Sequence, residues 1–234
     1  MREPLEIAVA QPLTLSSDVA GNARRHAAAI RAAGTRVVVF PEMSLTGYGF
    51  GAPAIGAGDP RLAPIVEACR ETGSIALVGG PVDGEAGAVH IGILAIDGEG
   101  ARVAYRKMWL GGAEPHHFAP GAAPTALEVD GWRLGLAVCK DTGVPQHAAD
   151  TAALGIDAYV AGVLETSADA DVPETRARRV AADHGVCVVI ASFAGSTGGG
   201  FDEAAGGSGV WSADGVALAR AGTEPGEVVR ATLT

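Results

Sequence analysis

Apolar positions along this chain fall into two alternating kinds of segment. Short runs rich in β-branched residues have the length and composition of buried strands: Leu5–Ala10, Arg36–Phe40, Ile75–Gly79, Ile91–Ile96, Arg133–Val138, Ala158–Ala161 and Val186–Ala191. Between several of them lie Ala- and Arg-rich stretches of helical length: Asp18–Ala33, Pro60–Thr72, His147–Leu154 and Pro173–His184. Asp18 suits a cap for the first helix, and Gly34 suits its left-handed end. Pro60 directly after Asp59 fits a first helical position behind a cap, and Gly73 and Gly185 close two other helices. Strands alternating with helices predict an α/β layered domain. From Ile75 to Val138 strand follows strand, with turns expected at Asp83-Gly84 and Asp97-Gly98, so the sheet is expected to be mixed. The Gly-rich stretch Gly195–Gly209 reads as a surface or rim loop. No linker and no internal repeat interrupts the pattern, so residues 1–234 are read as one domain.

Composition narrows the picture. With 48% hydrophobic and 19% charged residues the chain is globular in class, and 34 glycines predict many tight turns. A net charge of −10 repels phosphate backbones and anionic lipids, which argues against nucleic acid and membrane surfaces as partners. The tight basic cluster Arg176, Arg178 and Arg179 reads as a solvated helix face. Three cysteines without a CxxC pair argue against a disulfide scaffold and against structural zinc. His116 and His117 diverge on an extended chain and lack a third ligand, so no metal is expected. No phosphate-loop glycine pattern is present, so no cofactor is expected either. The N-terminus lacks a signal-peptide shape, and no run approaches the ~20 apolar residues of a membrane span. The expected location is the cytoplasm.

Three residues are candidates for chemistry. Cys139 ends the apolar run Leu134–Val138 and precedes turn residues, which is where α/β sheets present reactive groups. A cysteine on such an elbow has backbone N–H groups near a developing oxyanion, and Lys140 adds positive charge that favours the thiolate. Glu42 directly follows a β-branched strand that stops at Pro41, a position suited to a general base. Lys107 stands beside Met108, Trp109 and Leu110, where a cation must snorkel or pair. Each alone has a plain structural reading: a small buried hydrophobe, a loop carboxylate, a surface lysine. Cys69 and Cys187 read as core cysteines.

Taken together and in order, the segments PEMSLTGY, YRKMWL and AVCKD resemble the three signature segments of the nitrilase superfamily, the carbon–nitrogen hydrolases. A fourth match is Glu114, which lies shortly before Phe118-Ala119-Pro120-Gly121 as the family's second glutamate does. The resemblance runs from Ile7–Gln11 to Asp214-Gly215. It implies a four-layer αββα sandwich with two mixed β-sheets. It implies Cys139 as nucleophile, Glu42 as general base, Lys107 as oxyanion support and Glu114 as the residue that positions the lysine and the substrate. The backbone N–H of Lys140 would be the second oxyanion donor. It also implies a homodimer or higher oligomer, with Pro145–Leu154 and Pro173–His184 as candidate interface helices.

The chain departs from the family pattern at several places. Lys140 replaces an aromatic residue common after the cysteine, and this favours a polar or anionic substrate. Asp141 leans towards an amidase. An Arg-Phe-Pro-Glu-like run becomes Gly143-Val144-Pro145-Gln146, so substrate contacts made by that Arg and Glu do not carry over. The leading expectation is hydrolysis of a small linear amide to a carboxylate and ammonia. N-carbamoyl-compound hydrolysis, nitrile hydrolysis, acyl transfer and a catalytically silent binding protein on the same fold remain open.

Overall fold

The computed structural model describes residues 2–234, apart from the side chain of Ala86. Two six-stranded mixed sheets form its centre. The first contains β1 (Leu5–Ala10), β2 (Val37–Val39), β3 (Ile75–Asp83), β4 (Val89–Ile96), β5 (Ala101–Arg106) and β14 (Val228–Leu233), in the order β14-β1-β2-β3-β4-β5. The second contains β6 (Ala126–Val129), β7 (Trp132–Val138), β8 (Ala158–Val163), β9 (Cys187–Ser192), β12 (Gly209–Trp211) and β13 (Ala217–Arg220), in the order β13-β12-β9-β8-β7-β6. In each sheet three parallel strands sit in the middle, β1-β2-β3 and β7-β8-β9, flanked by antiparallel neighbours.

Period-two alternation sorts the strand side chains into layers. Ile7, Val9, Val37 and Val39 of one sheet meet Leu134, Leu136, Val138 and Val160 of the other in a shared inner core. Ala8, Ala10 and Val38 face outward, under helices α1 (Val19–Ala33) and α2 (Ala63–Thr72). Ala137, Tyr159 and Ile190 face the opposite way, under α3 (Pro145–Ala152) and α4 (Val172–His184). The result is the four-layer αββα sandwich that the sequence resemblance implied. Among the described residues no helix is long and apolar enough to cross a membrane.

The expected caps are in place. The Asp18 carboxylate accepts from Gly21 N, and Gly34, Gly73 and Gly185 end α1, α2 and α4 with φ of 57°, 69° and 64°. Other boundaries differ for local reasons. Asp59 caps only a 3-10 turn, Pro60–Leu62, and α2 begins after it. Helix α3 starts at Pro145 rather than His147, since proline needs no N–H partner in the first turn. β3 runs on to Asp83, and the connection to β4 is a 3-10 turn, Glu85–Gly87, instead of a two-residue hairpin. The Gly-rich stretch contains a short ribbon, β10 (Ala194–Gly195) paired with β11 (Ala204–Ala205). Cys69 is buried as expected, whereas Cys187 at the start of β9 is only half-buried.

Candidate active site

β7 ends at a sharp elbow. Cys139 opens a 3-10 turn, Cys139–Gly143, with φ of +43°. A side chain in this left-handed region costs about 1–3 kcal/mol, so the surroundings must impose the conformation. Asp141 is the anchor. Fully buried, it accepts from Val138 N at 3.0 Å and Tyr105 Oη at 2.8 Å through one oxygen, and from Trp109 N at 2.8 Å through the other. It therefore ties the cysteine elbow to the segment after β5. Thr142 adds a hydrogen bond from Oγ1 to the Cys139 carbonyl at 2.6 Å. Behind Asp141 lies a buried relay, with Tyr105 Oη 2.9 Å from His147 Nε2 and His147 Nδ1 2.8 Å from Tyr159 Oη. Since Tyr105 donates to Asp141, the network assigns the His147 proton to Nε2. Burial lowers the His147 pKa against the pull of Asp141, which keeps the ring neutral.

Glu42 arrives from β2 through Phe40-Pro41. Its backbone is squeezed between the two sheets at two glycines. A Cβ on Gly79 of β3 would stand 2.3 Å from Pro41 O, and one on Gly162 of β8 would stand 2.8 Å from Glu42 N. Met43, the next residue, has φ of +56°. Of the four non-glycine residues with positive φ among those described, two are thus Cys139 and the neighbour of Glu42.

Lys107 lies just beyond β5, where its N–H still pairs with Ile91 O at 2.8 Å. Its side chain is 1% exposed and donates to Glu42 Oε1 at 2.7 Å and Glu114 Oε1 at 2.8 Å. Glu114, on the 3-10 turn Glu114–His116, also accepts from Gly111 N at 2.8 Å and from the Tyr48 hydroxyl. The second oxygen of Glu42, Oε2, is buried with no hydrogen-bond partner among the described residues.

Two carboxylates and one ammonium set the local electrostatics. Burial pulls the Lys107 pKa down, but Glu42, Cys139 and Glu114 outweigh it and hold the ammonium charged. Burial pushes Glu42 up to about 7 against the opposing pull of Lys107. Burial also raises the Cys139 thiol, and Glu42 raises it further while Lys107 opposes. The resting cysteine is therefore a thiol. Moving its proton to Glu42 leaves the total charge of the cluster unchanged, so ionisation coupled to Glu42 avoids burying another net charge.

The groups meet at a cavity of about 230 Å³. Lys107, Glu114 and Cys139 form its polar base, Gly111–Ala113 one side, and Tyr48, Phe50 and Phe201 an aromatic wall. Tyr48 packs edge-on against Phe201 with ring centres 5.0 Å apart. Burial raises the Tyr48 pKa, so its hydroxyl remains a donor. Lys140 lies on the rim, exposed, with Nζ donating to Leu110 O at 2.7 Å. A larger cleft of about 510 Å³ along β5 contains none of Glu42, Lys107, Glu114 and Cys139.

The structure therefore places Glu42, Lys107, Glu114 and Cys139 in one cluster. Lys140 is set apart at the rim, its ammonium occupied by a carbonyl. Sequence reasoning gave no role to Tyr48, Tyr105 or Phe201 and read Asp141 only as a mark of amidases. It also took Arg176 and Arg179 for solvated residues, but both reach the elbow: Arg176 bonds Thr142 and Glu165, and Arg179 bonds the Thr142 carbonyl. Only Arg178 fits the solvated reading, at 61% side-chain exposure.

The chain belongs to the carbon–nitrogen hydrolase family, whose family model matches residues 6–234, and its structural neighbours include members of the nitrilase superfamily. A Pseudomonas protegens protein named for its place in the pqqF 5′ region, a hydrolase, is 35% identical over 149 residues, covering 60% of this chain and 52% of that protein. An (R)-stereoselective amidase from a Pseudomonas species is 29% identical over 162 residues, covering 67% of this chain and 59% of that protein. The matched stretches span little more than half the length of these curated relatives. A solved alanine mutant of the Nesterenkonia AN1 amidase, from the nitrilase superfamily, is similar with a TM-score of 0.86 at 25% identity, covering 98% of this chain and 90% of that one.

Proposed function

We propose that this protein is a thiol hydrolase that cleaves the C–N bond of a small linear amide, with Cys139 as nucleophile, Glu42 as base and Lys107 as oxyanion support. The observation that carries the reading is Lys107, fully buried between Glu42 and Glu114 at the base of the cavity that Cys139 lines. A buried cation with two carboxylates has no evident packing role, and a thiol within reach of the Glu42 carboxylate, whose Oε2 is not taken by another group among the described residues, is a nucleophile–base pair. The cavity lies below the roughly 300–1,000 Å³ of pockets for drug-sized ligands, which suits a small acyl group.

The steps follow from these groups. Glu42 Oε2 takes the thiol proton as sulfur bonds to the carbonyl carbon. The carbonyl oxygen gains the negative charge, and Lys107 and the backbone N–H of Lys140 stabilise it. Glu42 returns its proton to the nitrogen, the C–N bond breaks and ammonia leaves an acyl-thioester on Cys139. Water then loses a proton to Glu42 and attacks the thioester. The carboxylic acid departs as the proton goes back to sulfur, and its own proton passes to solvent. Glu114 holds Lys107 in place and is itself fixed by Gly111 N and Tyr48. Because Lys140 Nζ is bonded to Leu110 O, we assign it no contact with a substrate anion. The homodimer is likewise a proposal, with α3 and α4 as the paired face. Light scattering that reads a monomer at working concentration overturns it.

The test of the reaction is ammonia release across primary amides, N-carbamoyl amino acids and nitriles, with hydroxylamine added as a competing acceptor. The account expects ammonia from primary amides and a hydroxamate when hydroxylamine intercepts the thioester. Preference for carbamoyl compounds or nitriles would reassign the substrate class. No product from any compound, with no covalent adduct on Cys139 by intact mass, would leave a silent binder on a hydrolase fold.

A further inference from the structure

Helix α4 sends two arginines to the back of the cysteine elbow. Arg176 Nη1 donates to Glu165 Oε1 at 2.7 Å and to Thr142 Oγ1 at 3.3 Å. Arg179 Nη2 donates to Thr142 O at 2.5 Å. Thr142 in turn donates to the Cys139 carbonyl. Gly143 makes room for this arrangement, since a Cβ there would stand only 3.3 Å from the Arg176 guanidinium.

Glu165 is the other half. It follows Leu164, whose carbonyl accepts from Cys139 Sγ at 3.5 Å, so its carboxylate lies one residue beyond the nucleophile's own partner. Its side chain is 13% exposed. Burial raises its pKa, and the Arg176 guanidinium bonded to it at 2.7 Å opposes that rise. Glu165 also disfavours the Cys139 thiolate. The other groups facing Cys139 are Glu42 after β2, Tyr48, Lys107 after β5, Glu114 and Lys140. Asp169, on the 3-10 turn Ser167–Asp169, stands near Glu165. Lys107 is engaged by Glu42 and Glu114, and Lys140 by Leu110 O, so the cation bonded to Glu165 is Arg176.

We propose that Arg176 is a positioning residue for the nucleophile, neutralising Glu165 beside Cys139 and fixing, through Thr142, the carbonyl of the strained elbow. The inference rests on the reading of Cys139 as nucleophile. Removing the guanidinium leaves a bare carboxylate next to a forming thiolate, which opposes ionisation, and releases one anchor of the elbow. The role divides into a charge part and a tether part, and the two respond differently to substitution.

The experiment measures the rate of Cys139 alkylation by iodoacetamide across pH, by intact mass, together with kcat and KM for ammonia release. Arg176→Gln keeps most of the stem over Gly143 and removes the charge. Its alkylation midpoint is expected to rise by about one pH unit and kcat to fall about tenfold, with KM nearly unchanged. Arg176→Lys keeps the charge and is expected to hold the midpoint near wild type. Adding Glu165→Gln to Arg176→Gln is expected to bring the midpoint back. A midpoint unmoved in Arg176→Gln, or unrestored in the double variant, overturns the proposal. Wild-type protein that is not alkylated at Cys139 overturns the nucleophile reading as well, so the two failures are told apart.

Discussion

Gly79→Ala is the substitution that most directly tests how the fold positions Glu42. Gly79 lies in the middle of β3, where the Pro41–Met43 backbone crosses it. The new Cβ would meet Pro41 O at 2.3 Å, Met43 N at 2.6 Å and Glu42 Cα at 2.8 Å. All three are backbone atoms, so no side chain can swing aside, and ordinary contacts lie at about 3.5 Å. The Pro41–Met43 segment must therefore move by roughly 1 Å, and overpacking of this kind costs about 1–3 kcal/mol. A shift of that size breaks the 2.7 Å bond between Lys107 and Glu42, and a misplacement of about 1 Å lowers catalysis about 10²-fold. Gly80, the next residue on the strand, supplies the control. A Cβ there would meet only Ile55 and Leu45 side-chain carbons at 3.6 Å, so Gly80→Ala should keep near wild-type activity. The assay is kcat/KM for ammonia release beside thermal unfolding for both variants. Wild-type kinetics in Gly79→Ala, or an equal loss in Gly80→Ala, would refute the argument that the close backbone approach fixes the base.

Other consequences are equally specific. Glu42 must be ionised to accept a proton, so kcat/KM should climb about tenfold per pH unit below about 7 and level off above it; a flat profile across that range contradicts the assignment. The same group has a stability signature: its folded pKa is raised from 4.5, so the stability it contributes is present below about pH 4.5 and lost as pH rises through about 7. Glu42→Gln should therefore gain in Tm relative to wild type across that window, and a constant difference would argue against it. Asp141→Asn puts an NH2 in place of one carboxylate oxygen, facing either Trp109 N or the pair Val138 N and Tyr105 Oη, and each buried donor left unsatisfied costs about 1–3 kcal/mol; urea unfolding should show the loss, together with slower alkylation of Cys139. Trp132→Ala, at a ring 1% exposed whose Nε1 bonds Glu3 O, should cost about 3–5 kcal/mol. Arg178→Ala, at an exposed ion pair, should stay within about 0.5 kcal/mol, and similar losses in these two variants would undercut the assigned burial.

What was legible in the sequence was local or periodic. β-branched runs marked most central strands, and Asp18, Gly34, Gly73 and Gly185 marked helix ends because capping depends on immediate neighbours. The chemical cluster was legible through motif resemblance, since Glu42, Lys107, Glu114 and Cys139 come from four separated segments that no periodicity connects. The supporting contacts were hidden for the same reason. Asp141 lies 36 residues from Tyr105, and the Arg36–Asp130 pair spans 94 residues. Gly79 and Gly162 read as ordinary strand glycines until both sheets are seen to close on one peptide segment. Arg176 and Arg179 misled because a basic run on a helix usually faces water, whereas the absence of a side chain at Gly143 leaves one guanidinium a place against the elbow.

The most direct measurement of the central claim is ammonia release by wild type and Cys139→Ala, purified side by side and matched in Tm. The account predicts activity on a small primary amide in wild type and none above background in the variant. Activity that survives in Cys139→Ala would contradict it, because no acyl-thioester can then lie on the path.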